Sequence, residues 1–281
     1  MFFQLFRVQQ WYKNLLIFLP LVFAGLITNS FDMFLTILGF LALCCMSSAN
    51  YILNDILDKE KDRIHPEKKF RPIASGQISI PSAGMCALVL AIISLVIAIS
   101  LSQVFFLIVL VFFFLTQAYS LYFKKEIFAD IIFISVNFVL RAMSGAFILN
   151  VRLSPWLIVC TFFLSLFLVL GKRKADLVFL GKNAEKHKES LALYSPQIIN
   201  TLMSIATVSL LLSYTLYSFL SIYPLLIYSL PFALYVILRY FFLVETNSSI
   251  ARKPEEFYKD IQLVIGIVLW ICTVLIVMYL F

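Results

Sequence analysis

The sequence has few charged residues for its length. Asp, Glu, Lys and Arg make up 13% of the 281 residues, whereas a soluble domain has about 25%. Hydrophobic residues account for 62% of the chain, and the mean hydropathy is +0.99. This composition does not fit an ordinary soluble domain and indicates a protein that is largely embedded in a membrane.

Three other kinds of pattern are also missing. The five cysteines lie in apolar runs without metal-ligand spacing to His, so neither a disulfide framework nor a Cys–His metal site is predicted. Short strands of alternating polarity do not occur, which argues against a β-barrel. The basic residues are dispersed over several loops without a recognition motif, and we therefore expect no nucleic acid partner.

Long apolar runs are present instead. Each is near the length of about 20 residues that crosses a bilayer as an α-helix, and a helix satisfies its own backbone hydrogen bonds in lipid. We predict an all-α polytopic membrane protein with nine transmembrane helices, forming a single domain over residues 1–281. The predicted spans are 15–30, 34–53, 81–101, 104–123, 127–149, 154–171, 196–219, 223–243 and 261–280.

The positions of the basic residues predict the orientation of these spans. With nine spans, 19 of the 22 Lys and Arg fall on one face, mostly in loops 54–80 and 172–195. Basic loops face the cytoplasm, so we expect the N-terminus and both loops there and the C-terminus outside. The protein would lie in a cell inner membrane or plasma membrane. Its apolar surface suits lipid or further copies of the chain equally, which leaves a homo-oligomer open.

An acidic stretch follows the second predicted span. Asn54, Asp55, Asp58 and Asp62 fall within an arc of about 100° on a helix, and Tyr51 lies on the same arc. Like charges at this spacing repel each other, so we expect a positive group between them. Hard oxygen ligands favour Mg²⁺, which often bridges to substrate phosphates. A solvated helix end with local ion pairs is the alternative.

Basic residues come directly after these acids. His65, Lys68, Lys69 and Arg71 precede the end of the loop. A metal ion flanked by Lys and Arg suits a diphosphate, because Arg makes bidentate contacts to phosphate oxygens. For His65 we expect a structural or hydrogen-bonding role rather than that of a general base. Gly76 is expected to permit a tight turn before the next span.

Together these motifs resemble a known family. NDILDKEKD (54–62) is similar to the NDxxDxxxD motif of the UbiA superfamily of intramembrane prenyltransferases, whose helical bundle also has nine spans. Within it, five segments resemble the branch of decaprenyl-phosphate phosphoribosyltransferases. They are QWYKN (10–14), DRIHPEKKFRPIASG (62–76), YSLYFKK (119–125), LRAMSGAF (140–147) and GKRKADL (171–177).

The sequence departs from the wider superfamily after the sixth span. Members that use a prenyl diphosphate typically carry a second acidic motif, DxxxD, in that loop. This chain has Lys172, Arg173 and Lys174 there, with Asp176 as the nearby acid. A basic cluster would hold a phosphate directly rather than through a further Mg²⁺. Ordinary positive charge on a cytoplasmic loop is the alternative explanation.

The resemblance implies Mg²⁺-dependent transfer of a 5-phosphoribosyl group from phosphoribosyl diphosphate (PRPP) to a polyprenyl phosphate, with release of diphosphate. It implies metal ligands at Asn54, Asp58 and Asp62, and catalytic roles for Asp55, Asp58 and Asp62. The implied substrate-binding residues are Lys13, Tyr51, His65, Lys68, Arg71, Lys124, Arg141, Lys172 and Arg173. No general base is expected, because the acceptor phosphate is already an anion.

Simpler roles stay open for three of these bases. Lys13 also suits an interfacial anchor, and Lys124 suits a side chain that extends from a span end towards water. Arg141 lies deep in the fifth predicted span, where a buried charge needs a partner. Either an acid of the motif or a lipid phosphate would serve.

Two other functions are compatible with the sequence. The first is a prenyltransferase that moves a prenyl chain from its diphosphate to an aromatic or other acceptor, against which the missing second DxxxD argues. The second is a non-enzymatic transporter with an acidic gate. A transporter should line a path through its spans with ionisable residues, but Arg141 and Arg239 are nearly alone within the predicted spans.

Overall fold

The computed structural model describes residues 2–180, 191 and 193–280, and the regular secondary structure of these residues is entirely helical. The long helices are α1 (Ser30–Leu57), α2 (Ile80–Leu101), α3 (Gln103–Leu121), α4 (Ala129–Leu149), α5 (Pro155–Leu180), α6 (Pro196–Leu220), α7 (Leu230–Glu245) and α8 (Ile261–Leu280). Short α-helices are Phe2–Leu5, Leu19–Phe23, Lys59–Arg63 and Ser249–Arg252. The 3₁₀-helices are Val8–Phe18, Lys68–Phe70, Phe123–Lys125, Pro224–Ser229 and Pro254–Lys259.

Eight of the nine predicted spans are confirmed as helices. Within the described residues, eight helices are long and apolar enough to cross a membrane, the seventh with the 3₁₀-turn Pro224–Ser229 at its start. The first predicted span, 15–30, differs: residues 15–23 lie in Val8–Phe18 and Leu19–Phe23, residues 24–29 are not helical, and Ser30 begins α1. With rises of about 2.0 Å and 1.5 Å per residue, these two helices extend about 30 Å, the thickness of a bilayer core.

Serine and proline define the starts of two spans. Ser79 accepts a hydrogen bond from the Ser82 N–H ahead of α2, and Ser195 accepts one from the Ile198 N–H ahead of α6. Proline occupies one of the first two positions of both helices. Its missing N–H costs nothing there, because the first amides of a helix have no partner within it.

The chain forms two compact units, and α4 contributes residues to both. Unit 1 comprises Met1–Phe123 and Leu140–Arg152, and unit 2 comprises Lys124–Val139 and Leu153–Phe281. The prediction of a single domain over the whole chain stays a prediction.

Unit 1 is built around α1. This helix packs against α2 and α3, and the 3₁₀-helix Val8–Phe18 lies on it. One apolar cluster includes Ile17, Met46 and Phe105. A second cluster joins α1 to the segment that precedes α2 through Ile52 and Ile73. Burial of Ile73 therefore fixes the loop that carries the predicted phosphate-binding bases.

A close approach brings α4 against the 3₁₀-helix Val8–Phe18 in unit 1. A Cβ atom at Gly145 would collide with the backbone carbonyl of Ile17. Glycine therefore permits this contact, because it has no side chain. The contact lies one helical turn from Arg141 and three residues from Asn14, so it sets the distance between those two side chains.

Unit 2 has its own apolar core. α5 packs along α6, and α7 packs against α8. Phe167 and Leu170 of α5 are buried together with Met203 of α6 and Tyr240 of α7. This core places the last turns of α5 beside the ends of the neighbouring helices of the same unit.

The predicted loop 172–195 begins as a helix, which corrects its boundary. α5 continues to Leu180, because the charges that ended the predicted span have partners in unit 2. Lys174 Nζ lies 2.6 Å from Glu245, and Arg252 Nε lies 3.4 Å from Asp176. Lys182, Lys186 and Lys188, which contributed to the predicted charge of this loop, lie outside the described residues.

Candidate active site

The acidic row of unit 1, which consists of Asn54, Asp55, Asp58 and Asp62, keeps a helical spacing across the end of α1. The Asp58 N–H donates to the Asn54 carbonyl at 2.9 Å, and the Asp62 N–H donates to the Asp58 carbonyl at 2.8 Å. These are bonds between residues four apart, as in an α-helix, although α1 ends at Leu57 and a short helix starts at Lys59. The predicted one-turn spacing of Asn54, Asp58 and Asp62 is therefore confirmed.

Two carboxylates of this stretch are buried and bound by arginine. Arg71 Nη1 lies 3.0 Å from Asp55 Oδ1 and 2.6 Å from Asp62 Oδ2, and Arg7 also bonds to Asp55. Asp55 and Asp62 are each 3% exposed. Removal of one member of such a buried ion pair leaves an uncompensated charge, which costs about 3–5 kcal/mol. The positive group expected among these acids is thus supplied by arginine side chains.

The loop after the row is held by its own backbone. The Ser75 N–H donates to the Arg71 carbonyl at 2.8 Å, and the Ile78 N–H donates to the Pro72 carbonyl at 3.0 Å. Gly76 has a φ of +80°, a conformation that favours glycine, so the tight turn expected at this residue is confirmed. Arg71 consequently projects from a fixed backbone.

Lys68 and His65 lie in this loop. Lys68 Nζ is 4.0 Å from Asp62 Oδ1. Partial burial and then the charge of Arg71 lower the pKa of Lys68, against the opposing effect of Asp62 and Asp58. His65 Nδ1 accepts hydrogen bonds from the Glu67 and Lys68 N–H groups at 3.1 and 3.2 Å. This nitrogen therefore shapes the turn that presents Lys68, in line with the structural role expected for His65.

Arg7 is a site residue that the sequence interpretation missed. Its guanidinium lies 4.9 Å from the centre of the Tyr51 ring, in addition to its bond to Asp55. Tyr51, a predicted substrate-binding residue, thus packs on the acidic cluster through Arg7. Sequence spacing alone offered no signal for this pairing, because Arg7 and Asp55 are 48 residues apart.

Arg141 is buried in unit 1, as expected from its position within a span, and it is 7% exposed. Its Nε donates to Asn14 Oδ1 at 2.8 Å, and its guanidinium lies 4.7 Å from the centre of the Phe112 ring. Asn14, another residue missed from the sequence, also accepts from Ser47 Oγ at 3.3 Å. The partners of Arg141 thus include an amide oxygen and an aromatic face, which differ from the motif acid or lipid phosphate that was expected. Lys13, next to Asn14, lies 5.8 Å from the Tyr12 ring centre.

A second buried polar cluster lies in unit 2. Arg173 Nε is 3.1 Å from Asp130 Oδ2, and the Tyr194 hydroxyl donates to Asp130 Oδ1 at 2.6 Å. Asp130 is fully buried, and burial and this hydrogen bond raise the pKa of Tyr194. Arg173, a predicted phosphate ligand, therefore contacts a carboxylate here. Asp130 was missed, although an acid within a predicted span indicates a functional or paired residue.

The other bases predicted for the site in unit 2 are more accessible. Lys172 is exposed on the last turns of α5, and Lys124 is partly exposed on the 3₁₀-turn that precedes α4. Lys172 and Arg173 are therefore adjacent in sequence but differ in environment. Only the first presents its side chain at the surface of the described part of unit 2.

The oxygen donors of the acidic row fit a hard cation such as Mg²⁺. The described residues contain no group of three or more His, Cys, Asp and Glu arranged to hold a metal ion. Mg²⁺ is commonly bound by one or two carboxylates, with substrate phosphates and waters as its other ligands. Asn54 and Asp58 suit this mode, whereas Asp62 is already bonded to Arg71.

Residues 15–259 match the model of the UbiA prenyltransferase family. The chain belongs to this family. The match includes both the acidic row of unit 1 and the Asp130–Arg173 pair of unit 2. The resemblance inferred from the motifs is thereby confirmed, and the protein is a multi-span membrane protein of a transferase family.

Two curated relatives of this UbiA protein align with nearly the whole chain. One, from Mycolicibacterium smegmatis, is 31% identical over 95% of this chain and 89% of its own length. Another, from Mycobacterium tuberculosis, is 30% identical over 95% of this chain and 91% of its own length. Both are named decaprenyl-phosphate phosphoribosyltransferase, the branch to which the extended motifs point.

The UbiA fold is also supported by a solved structure. A UbiA homologue from Archaeoglobus fulgidus, bound to GPP and Mg²⁺, superposes with a TM-score of 0.77 at 18% identity. The superposition covers 97% of this chain and 99% of the homologue. At this identity the comparison establishes the fold, and the predicted UbiA-like helical bundle is confirmed.

Proposed function

We propose that this UbiA protein transfers a 5-phosphoribosyl group from PRPP to a polyprenyl phosphate and releases diphosphate. The names of the two relatives that align with 95% of the chain support this activity. We further propose that the N-terminus and the acidic row face the cytoplasm of a cell inner membrane or plasma membrane, since the basic loops would lie on that side.

The observation that carries the proposal is the small number of acidic residues in the last turns of α5. A donor with a prenyl diphosphate would call for a second acidic motif in this region. Asp176 is the one acid in the sequence 172–180, and it lies 3.4 Å from Arg252 and 4.0 Å from Arg173. A single acid that is already paired with arginine supports direct phosphate binding by bases rather than a second metal site.

Asn54 and Asp58 would hold Mg²⁺ together with the donor diphosphate. When bound, the ion neutralises charge on the diphosphate oxygens. Asp55 and Asp62 would orient Arg71 through their bonds to its guanidinium. This refines the expectation that Asp62 is itself a metal ligand.

The bases of the loop would stabilise the leaving group. Arg71 and Lys68 would contact the diphosphate, with Tyr51, His65 and Lys13 around the donor. The bond between C1 of the ribose and the diphosphate oxygen breaks, and its electron pair leaves with the diphosphate. A bond from the acceptor phosphate oxygen to C1 forms. Fixed positive charge at the departing oxygens lowers the barrier for this step.

In unit 1, Arg141 would be the candidate for the acceptor phosphate. Arg141 is buried beside Asn14 within a membrane-spanning helix, a depth that suits the phosphate of a lipid. In unit 2, the exposed Lys172 and the partly exposed Lys124 would be further candidates for phosphate contacts. Arg173 is already bound to Asp130. The isoprenoid tail would lie among the apolar helices.

A direct assay tests the activity. Purified protein is incubated with Mg²⁺, PRPP and a polyprenyl phosphate, and the phosphoribosyl lipid is sought by mass spectrometry. We expect a product whose mass exceeds the acceptor by one phosphoribosyl group. Activity with a prenyl diphosphate and an aromatic acid, without any phosphoribosyl lipid, would instead establish the prenyltransferase.

The role of Asp58 is tested with a matched acid as control. Asp58→Asn should lower turnover at least about 100-fold, because the neutral amide loses the charge that holds the cation. Glu60→Gln, in the short helix next to Asp58, should retain turnover because Glu60 is exposed and pairs with Arg63. Unchanged turnover and Mg²⁺ dependence in Asp58→Asn would contradict the metal assignment.

A further inference from the structure

The acidic row of unit 1 continues one turn deeper than the family motif. Asn50 precedes Asn54 by four residues on α1, and Asp58 and Asp62 follow at the same interval. Residues four apart lie on the same face of a helix. Asn50 is therefore the innermost polar side chain of this row, and it is 1% exposed.

A glutamine from another helix fixes the orientation of Asn50. Gln117 Nε2 donates to Asn50 Oδ1 at 2.6 Å. Gln117 lies on α3, four residues before its end, and α3 packs against α1 in unit 1. Because the Asn50 carbonyl oxygen is bound by Gln117, its amide nitrogen is directed elsewhere.

The amide nitrogen of Asn50 has an unused capacity to donate. Asn50 Nδ2 is buried and has no hydrogen-bond acceptor among the residues that the structure describes. Buried polar groups in proteins are almost always hydrogen-bonded, and an unsatisfied one is unfavourable. A buried, oriented and unsatisfied donor beside a substrate-binding row points to an acceptor on a ligand.

We propose that Asn50, held by Gln117, is the sugar subsite of the donor and hydrogen-bonds an oxygen of its ribosyl group. This inference rests on the proposed phosphoribosyl transfer. Asn50 lies four residues, or about 6 Å, along α1 from Asn54 and further into the protein, as a sugar attached to the diphosphate requires. A neutral amide suits a neutral hydroxyl, whereas the diphosphate has Arg71 and Lys68.

The subsite also explains a choice between donors. An isoprenoid chain consists of carbon and hydrogen and offers no acceptor to Asn50 Nδ2. A site built to hydrogen-bond a substrate hydroxyl rejects analogues that lack it, because its own buried polar group stays unsatisfied. Asn50 therefore favours a sugar phosphate over a prenyl diphosphate at this position.

Binding measurements separate the sugar from the diphosphate. The affinities of the full chain in detergent for PRPP and for inorganic pyrophosphate are measured with Mg²⁺ present. Asn50→Leu preserves the side-chain volume but removes the donor, so it should weaken PRPP binding roughly tenfold. Pyrophosphate binding should change less than about twofold, because this ligand has no sugar.

Two further variants keep the test decisive. Gln117→Met leaves Asn50 in place without its anchor and should weaken PRPP binding selectively, by a smaller factor, even if Asn50→Leu fails to fold. Ser94→Ala removes another buried hydrogen bond to α1, from Ser94 Oγ to the Ala42 carbonyl at 2.7 Å. It should leave both affinities unchanged, and the melting temperature of each variant reports folding.

Two results would overturn the subsite. They are an unchanged PRPP affinity in folded Asn50→Leu, and an equal loss for PRPP and pyrophosphate. Failure of the proposed function has a different signature, in which the wild-type protein binds geranyl diphosphate but not PRPP. Wild-type binding of PRPP with no selective effect in any variant would refute the subsite alone.

Discussion

The two buried ion-pair clusters of this protein differ in how their charges are balanced. In unit 1, Asp55 and Asp62 share Arg71, and Lys68 stands beside them partly exposed to solvent. In unit 2, the fully buried Asp130 binds Arg173 and Tyr194. The first cluster keeps bases at the surface, where an anion can reach them. The second places a single acid out of contact with water, as a structural anchor would.

We expect the largest effects when the arginine of each cluster, Arg71 or Arg173, is replaced. Arg71→Met and Arg173→Met should each lower the free energy of unfolding by about 3 kcal/mol, because each removes the arginine that neutralises a buried carboxylate. Only Arg71→Met should also abolish pyrophosphate binding. SDS titration in mixed micelles measures stability, and calorimetry measures binding.

Arg63→Leu is the control for the unit 1 variant, because Arg63 lies in the same region but forms an exposed pair with Glu60 and a single bond from Nε to the Ala74 carbonyl at 3.3 Å. Such pairs contribute about 0–1 kcal/mol. Loss of pyrophosphate affinity in both Arg71→Met and Arg173→Met would remove the distinction between the clusters.

The pairing in unit 2 is tested by neutralising its acid. Asp130→Asn keeps the shape of the side chain but leaves the Arg173 charge buried, and we expect a loss of about 3 kcal/mol in the free energy of unfolding. The double variant Asp130→Asn/Arg173→Met should lose less than the sum of the single variants, since the two residues interact. Strict additivity would show that the ion pair contributes nothing.

The close approach in unit 1 predicts a smaller effect. Gly145→Ala should destabilise the protein by about 1–3 kcal/mol, because the added methyl group collides with the Ile17 carbonyl and displaces the Val8–Phe18 segment. The bond between Asn14 and Arg141 should weaken as a result.

Gly84→Ala is the matched control for this substitution. Gly84 lies within α2, and a Cβ there meets nothing within 4 Å. Alanine should therefore stabilise the helix by up to about 1 kcal/mol. If both substitutions had the same sign in thermal melts, the proposed role of the Gly145 contact would be wrong.

The smallest expected effect is a change in pH dependence. The lowered pKa of Lys68 means that its charge is lost at a lower pH than for an ordinary lysine, so pyrophosphate affinity should decline earlier on the alkaline side. The same shift costs stability at neutral pH, which is regained as the pH rises through the folded-state pKa towards the usual value.

Lys68→Arg should reduce this alkaline decline, since arginine stays protonated. Lys69→Arg, at the exposed neighbouring position, should follow the wild-type profile. Comparison of the variants with one ligand cancels the titration of the ligand itself. Identical profiles for all three proteins would exclude Lys68 from the site.

Local patterns in the sequence predicted much of this architecture. Apolar runs marked the long helices, and four-residue spacing aligned Asn54, Asp58 and Asp62, because both features depend on neighbours within one helix. Gly76 was likewise predicted from the backbone freedom that only glycine has. The first span was less predictable, since apolar composition does not distinguish a 3₁₀-helix from an α-helix.

Contacts between residues that are far apart in the sequence could not be predicted in the same way. Arg7 meets Asp55, and Asp130 meets Arg173, only after the helices of each unit have packed. The extension of α5 has the same origin, because hydropathy ended the predicted span at Gly171, whereas Glu245 and Arg252 stabilise the charges beyond it. Local patterns therefore predicted the spacing of residues within one helix better than the partners of those residues.

The double attachment of Arg71 has a consequence for ligand recognition. A phosphate that approaches this side chain meets a guanidinium whose hydrogen bonds to Asp55 and Asp62 are already formed. Both bonds use Nη1, so other N–H groups of the guanidinium can bind a phosphate while the two aspartates hold the side chain in place. In the proposed reaction, Arg71 would therefore be oriented before the donor diphosphate binds and would stay oriented after diphosphate leaves, which lowers the cost of binding.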